Sequence, residues 1–218
     1  MTNKIKHELD FSFLNMHALV IFEKMLMPVF KPFPIIKTER LVLRRINEND
    51  KNDIFNHRSN VEVLKYLDRA PMKVCEDAIH HIRQLDNQIE NNESLIWGIA
   101  LKGEQRLIGT IAFHRLDKPN YRADLGYMLM PSFWKLGLMS EVLKEVIEYG
   151  FEVMKLHTIE AQINPFNMAS EKILNKFSFV KEAHFKQNYL FNGTFVDSVV
   201  YSLINPKHTN IQSTSTDF

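Results

Sequence analysis

Between Arg40 and Ile46 the chain reads RLVLRRI. Apolar and charged residues alternate there, the period of a strand with one buried face. The polar stretch NENDKNDIFNHRSN opens on capping residues and predicts a short helix. VEVLKYLDRAP predicts a second short helix, stopped before Pro71. In KVCEDAIHHIRQLDNQIENN, residues Val74, Ala78, Ile82, Leu85 and Ile89 share one helical face. Three strand-like runs follow. SLIWGIAL and QRLIGTIAFHRLD are separated by a hairpin-sized loop containing Gly103, and YRADLGYMLM comes after the turn signal DKPN. They predict an antiparallel meander.

The next segment, PSFWKLGLMSEVLKEVIEYGF, predicts a helix with a broad apolar face of Met139, Val142, Leu143, Val146, Ile147, Gly150 and Phe151. HTIEAQI is a strand. NMASEKILNKFSF is a helix capped at Asn167, with Ile173, Leu174 and Phe177 apolar. The last 25 residues up to Ile204 form two strands about Asn192–Gly193, a strong hairpin signal. The middle strand–helix–strand unit needs a crossover, so its two strands should be parallel. The fold class expected is α/β (mixed α+β), a mixed sheet with helices covering its faces. The domain runs from 37 to 205, with an extension at 1–36 and a polar tail at 206–218. Phe11, Leu14, Ala18, Phe22 and Met25 recur at helical spacing in the extension, before Pro28, Pro32 and Pro34 force an extended path. The extension reads as a helical appendage or arm, with a membrane-surface or partner helix as the other reading. Met25 or Met27 is an alternative start.

Composition narrows the function classes. The chain has 218 residues, 45% of them hydrophobic, and a net charge of +1. That length supports one well-buried core. The charge balance gives no electrostatic case for nucleic acid or an anionic membrane. Cys75 is the single cysteine, so no internal disulfide forms, which fits a reducing compartment. No apolar run is long and uncharged enough to span a bilayer, and no cleavable signal is apparent. The expected location is cytoplasmic.

Two clusters could carry chemistry. In PSFWKLGLM a strand runs into a helix, so the N–H groups of the first helical turn point outward with partial positive charge and suit a phosphate. Gly137 allows close backbone approach to an anion. On spacing alone, an ordinary turn is the commoner explanation of such a glycine. In NPFNMASEKILNKFSF, Asn164 ends a strand, Pro165 stops it, and Asn167 caps the helix with Ser170 at the capping-box position. Cap and turn are one reading; side chains facing a ligand across strand ends are the other. His80 and His81 are adjacent and cannot form a ligand pair on one helix face. No metal is expected. Cys75 has no histidine partner in view and reads as structural.

TERLVLRRI, ADLGYMLMPSFWKLGLMSEVLKEVIEYGF and NPFNMASEKILNKFSF together resemble the GNAT superfamily of acyl-CoA-dependent N-acetyltransferases, in particular the branch of ribosomal-protein N-terminal alanine and serine acetyltransferases. The resemblance covers about 37 to 204. It implies a GNAT-like fold whose central, mostly antiparallel sheet is splayed at the cofactor cleft, with helices on both faces. It implies that acetyl-CoA is the co-substrate. The loop Trp134, Lys135, Leu136, Gly137, Leu138 and Met139 would hold the diphosphate, and Met128, Leu129 and Met130 would line the gap entered by the pantetheine arm. Asn164, Asn167 and Ser170 would lie near the thioester. Two positions depart from the family pattern. Lys135 stands where a small residue, commonly glycine, is usual, and Met139 where glycine or alanine is frequent. Lys135 either meets phosphate as a point charge or points to solvent.

The reaction so implied is acetyl transfer to a primary amine, on a peptide or protein N-terminus or on a small molecule such as a polyamine, amino acid or aminoglycoside. A non-catalytic acyl-CoA-binding module is a third reading. Catalytic candidates are Ser170, as proton donor to the thiolate, and Asp124, as base through a water. Asp124 alternatively caps its strand or pairs with a surface cation. An unpaired backbone N–H near Leu129 or Met130 is the candidate oxyanion donor. His114 reads as structural. The chain is expected to be a monomer or homodimer.

Overall fold

A computed structural model describes Leu26 and residues 28–207. The expected helical face of Phe11, Leu14, Ala18, Phe22 and Met25 lies outside the described residues, as does the tail from 208. The strands are β1 (Ile36–Lys37), β2 (Leu41–Arg44), β3 (Leu95–Leu101), β4 (Leu107–Asp117), β5 (Arg122–Leu129), β6 (Thr158–Ile163), β7 (Val180–Phe191) and β8 (Thr194–Ile204). The helices are α1 (Lys51–Ser59), α2 (Val61–Leu64), α3 (Cys75–Glu90), α4 (Leu138–Glu152) and α5 (Met168–Lys176), with 3₁₀ turns at Glu48–Asp50 and Pro131–Phe133.

The strands form one sheet in the order β1-β2-β3-β4-β5-β6-β8-β7. Every neighbouring pair is antiparallel except β5 and β6, which are parallel across the α4 crossover. The meander, the parallel crossover and the closing hairpin therefore stand as the periodicity predicts. Because side chains alternate along a strand, the register defines two faces. Trp97, Phe113, Leu125, Leu129, Ile159 and Tyr201 share one; Ile96, Ala112, His114, Asp124, Met128 and Gln162 share the other. Helices cover both faces.

On the first face α4 lies so close that a Cβ at Gly150 would stand 2.8 Å from Phe113. Tyr149 and Phe33 pack edge-on against the fully buried Trp97. The indole N–H of Trp97 donates to the Pro34 carbonyl (2.7 Å). Leu26 and Phe30 are buried in the same core, each removed from water at a gain of about 2 kcal/mol. The end of the N-terminal extension is thus part of the core. α5 is tied to this face by Tyr201, whose hydroxyl donates to Glu171 (2.9 Å).

On the second face α1 and α3 carry Ile54, Ala78, Ile82, Leu85 and Ile89 inward. α1 is fixed by polar staples. The Asp53 carboxylate accepts the Leu107 N–H (2.8 Å), and Arg44 makes a two-pronged bond to Asp50 (2.8 and 2.7 Å). Three details differ from the periodicity. Val74 is the N-cap residue of α3 and is half exposed, so it leaves the apolar face. α2 is a single turn, and the chain then leaves the helical region at Asp68, where φ is +44°. Leu138, at the first position of α4, is buried.

Candidate active site

β5 and β6 are paired only where Arg122–Asp124 meet Thr158–Glu160. Beyond that point β5 continues to Leu129 and β6 to Ile163, and the two part. On its other edge β5 stays joined to β4. Met130 N–H donates to Ile108 O (2.9 Å), in register with the Thr110–Met128 pair. Antiparallel alternation then turns the backbone of Met128 and Met130 toward β4 and that of Tyr127 and Leu129 into the gap. The Leu129 carbonyl accepts the indole N–H of Trp134 (2.6 Å). The same alternation directs its N–H into the gap, away from β4. Of the two expected oxyanion donors, Met130 is bonded to Ile108 and Leu129 faces the gap. Gly109 makes this arrangement possible, because a Cβ there would lie 2.3 Å from Met128 O.

The loop from Trp134 to Met139 leads into α4. Gly137 is its N-cap at φ +77°, and Lys135 is also left-handed at φ +61°. The family position commonly filled by glycine is thus a positive-φ position, occupied here by a lysine whose side chain is exposed. Among the described residues, no N–H from Lys135 to Ser140 donates to a protein acceptor. These donors face outward at the positive end of α4. The loop is held from behind. Arg40 donates through Nη1 to Leu136 O (3.1 Å) and through Nε to Glu141 Oε2 (2.7 Å), and its own N–H donates to Glu141 Oε1 (2.7 Å). Burial would raise the Glu141 carboxyl, but the bonds from Thr38 and Arg40 outweigh it and hold the group below its usual range. Sequence reading missed Arg40 and Glu141; they are far apart in the chain and no local pattern joins them.

At the end of β6, Asn164 accepts the Phe166 N–H (3.0 Å) in a side-chain turn, and Asn167 accepts the Ser170 N–H (3.1 Å) as the cap of α5. Both asparagine oxygens are therefore committed to backbone. Ser170 lies near the Tyr127 phenol. The two are not aligned for a hydrogen bond, and the buried Tyr127 hydroxyl is left without a partner among the described residues. Burial pushes that phenol up to about 12, opposed by the serine.

The second face bears a cavity of about 790 Å³ between α1, α3, the Tyr66–Arg69 turn and the ends of β4 to β8. Asp124, Met128 and Asn164 reach it, as do His81 and His114. Asp124 is raised above the ordinary carboxylate range, first by burial and also by Glu160, against the opposing Arg115. Asp124 forms an ion pair with Arg115. His114 packs beside Gly126, where a Cβ would come within 3.1 Å of its ring. Burial, with Arg69, Arg58 and Arg115 adding to it, lowers His114 to about 4. The Cys75 thiol donates to Asn52 Oδ1 over a long 3.4 Å. Among the described residues no cluster of three His, Cys, Asp or Glu could hold a metal ion, and no helix is long and apolar enough to cross a membrane.

The expected site residues thus divide between two sides of one gap. Ser170 lies on the α4/α5 face, beside Tyr127, which sequence reading did not single out, while Asp124 and Met128 lie on the cavity face. The donor loop, the parted strands and the gap-facing Leu129 N–H fit an extended, diphosphate-bearing thioester such as acetyl-CoA.

Comparison with known proteins agrees. Residues 40–180 match the family model described as acetyltransferase (GNAT) domain. The chain is 38% identical over 175 residues to the uncharacterized N-acetyltransferase YoaA of Bacillus subtilis (strain 168), covering 80% of this chain and 99% of that protein. It is 25% identical over 184 residues to the [ribosomal protein uS5]-alanine N-acetyltransferase of Escherichia coli (strain K12), covering 80% and 92%. The crystal structure of ribosomal-protein-S5-alanine acetyltransferase from Vibrio fischeri superposes with a TM-score of 0.69 at 25% identity, over 79% of this chain and 97% of that one. The chain belongs to the GNAT acetyltransferase family. It is an acetyl-CoA-dependent N-acetyltransferase.

Proposed function

We propose that the acceptor is the α-amine of a protein or peptide N-terminus, of the kind acetylated by the ribosomal-protein enzymes among its relatives. The observation that carries this reading is the parting of β5 and β6 beside a large open cavity. The loop N–H groups of Leu136–Met139 hold the diphosphate, and the gap lined by Met128, Leu129 and Met130 receives the pantetheine arm. The amine arrives from the cavity face.

Asp124, poised by its raised carboxyl, accepts the amine proton through a water. The amine nitrogen bonds to the acetyl carbon while the Leu129 N–H stabilises the charge on the acetyl oxygen. The carbon–sulfur bond breaks, and Ser170 supplies the proton that makes the leaving thiolate a free thiol. The amide and coenzyme A are the products, and the enzyme is restored when the Asp124 proton reaches Ser170 through solvent. Arg58 and Arg69 in the cavity wall, with Asp124 already paired to Arg115, speak against polyamines and aminoglycosides as acceptors. Asp68 accepts the Tyr189 hydroxyl.

A thiol-release assay with acetyl-CoA over an amine panel tests the reading. The panel holds peptides starting with Ser or Ala, spermidine, an aminoglycoside and free amino acids. Turnover confined to the peptides is expected. Turnover confined to spermidine or the aminoglycoside would move the acceptor to small amines. Coenzyme A binding with no turnover on any amine would leave a binding module.

A further inference from the structure

The cavity wall contains a cation with no counter-ion. Arg58, at the end of α1, lines the cavity and forms no ion pair with any described residue. One Nη donates to His81 Nε2 (2.7 Å). That bond requires a neutral imidazole accepting through Nε2. A guanidinium carries five N–H donors in a fixed fork, so most remain available. Arg69 stands at the rim of the same cavity and likewise forms no ion pair with a described residue.

The local electrostatics agree. Burial, followed by the charge of Arg69, pushes Arg58 down to about 10, so it stays charged near neutrality. Burial, then Arg58 and Arg69, lowers His81 to about 4. Neither of the cavity's two carboxylates pairs with Arg58: Asp124 pairs with Arg115, and Asp68 accepts the Tyr189 hydroxyl. A desolvated charge is costly unless something pairs with it, and nothing among the described residues pairs with this one.

We propose that Arg58, supported by His81 and joined by Arg69 at the rim, is an anion subsite of the acceptor cavity. The amine acceptor then also carries a carboxylate, supplied by an acidic side chain at the second position of the peptide. This rests on the peptide-amine reading of the same cavity. The Arg fork matches a carboxylate in two-pronged geometry, and the same charge repels a polycation.

Two measurements separate the subsite from the reaction. The first compares kcat/KM for peptides starting Ser-Glu, Ser-Gln and Ser-Lys, and for free glutamate, in wild type, Arg58→Gln, Arg58→Lys and Arg69→Gln. Ser-Glu should exceed Ser-Gln by about tenfold or more, the lower end of what a hydrogen bond to a charged group supplies. Ser-Lys should be the poorest. Arg58→Gln should abolish the preference, Arg58→Lys should keep part of it, and Arg69→Gln should reduce it. The second uses blocked probes with no transferable amine, N-acetyl-Ser-Glu-amide and N-acetyl-Ser-Gln-amide, titrated by calorimetry.

Equal binding of the two probes within twofold would overturn the subsite, whether or not any peptide turns over. So would a preference left intact in folded Arg58→Gln. A clear preference for the Glu probe with no peptide turnover would sustain the subsite and remove the peptide-amine reading. Acetylation of free glutamate ahead of Ser-Glu would sustain the subsite and reassign the carboxylate to a small amino acid. Thermal melts identify any variant that fails to fold, and Arg58→Lys then decides.

Discussion

The two halves of the proposed site are made of different material. The coenzyme half is backbone: the N–H groups of Lys135–Ser140, the gap-facing amide of Leu129, and glycines at Gly109 and Gly137 that let main chain come close or turn left-handed. The acceptor half is side chains: Arg58, Arg69, His81, His114, Asp124 and Tyr189, brought together from α1, the turn after α2, α3, β4, β5 and β7. Backbone chemistry tolerates change of side chain, so one loop can serve a coenzyme common to many acetyltransferases. Side-chain chemistry changes with each substitution, so the acceptor half is where substrates are told apart.

The largest effect belongs to Gly109→Ala. Its new Cβ would meet Met128 O at 2.3 Å and Leu129 Cα at 3.1 Å, both main-chain atoms that cannot swing away. β5 must shift off β4 at the point where the Leu129 amide is aimed. Overpacking on this scale costs about 3 kcal/mol, and turnover should be lost along with it. Urea unfolding and a thiol-release assay read both. A variant as stable and active as wild type would mean that β4 does not position the coenzyme gap.

Ser170→Ala comes next. It deletes the proposed proton donor while Asn167 still caps α5 through the Ser170 backbone N–H. Expected is a fall in kcat of about 100-fold, the low end for general acid–base catalysis, with coenzyme A affinity unchanged. Tyr127→Phe should cost less, because the phenol makes no aligned hydrogen bond. Equal rates for Ser170→Ala and wild type would give the proton to Tyr127 or to water.

The same division marks what the sequence could disclose. The β5–loop–α4 unit is contiguous, so its strand period, its glycine and its helix stripe are all local signals. Asn167 as cap and Asn192–Gly193 as hairpin turn are local too. Arg58 and His81 carry no such signal, since their 2.7 Å contact exists only once α1 packs on α3. Arg40 and Glu141 meet only when the β1–β2 turn reaches the start of α4. β1 is two residues long and too short to show a period. Met128 and Met130 differ from Leu129 in backbone direction, which needs the β4 register and not the residue names.

Acidity should weaken the acceptor half first. Burial holds His57, His81 and His114 below their ordinary value, the last two at about 4. Between the ordinary value and the folded one, the unfolded chain binds more protons than the native one. The stability these groups provide is complete above about pH 6.5 and is lost as pH falls from there toward 4. His81 and His114 each contribute on the order of 1 kcal/mol between pH 6.5 and 5. Glu141, which steadies the coenzyme loop, is held low instead and keeps its charge through that window. Unfolding free energy should therefore drop across it, with a shallower slope in His81→Gln and His114→Gln. An unchanged slope in both variants would place the pH sensitivity on His57 or outside the cavity.

The smallest effects lie in the coenzyme loop and distinguish shape from charge there. Gly137→Ala meets no atom closer than Arg40 Nη2 at 3.7 Å, so its cost is the left-handed backbone alone. That cost is about 1–2 kcal/mol, and acetyl-CoA affinity should fall about tenfold. Lys135→Gly is the complementary change. It relieves the strain of a side chain at φ +61° and returns chain entropy of about 0.5–1 kcal/mol to the unfolded state, so stability should stay nearly level. Affinity then isolates the ammonium. With the lysine side chain exposed, a loss smaller than about threefold is expected, since surface charge interactions contribute less than about 1 kcal/mol. A loss well beyond that, reversed by Lys135→Arg and erased by high salt, would make Lys135 a phosphate ligand and show that this half of the site also reads side chains.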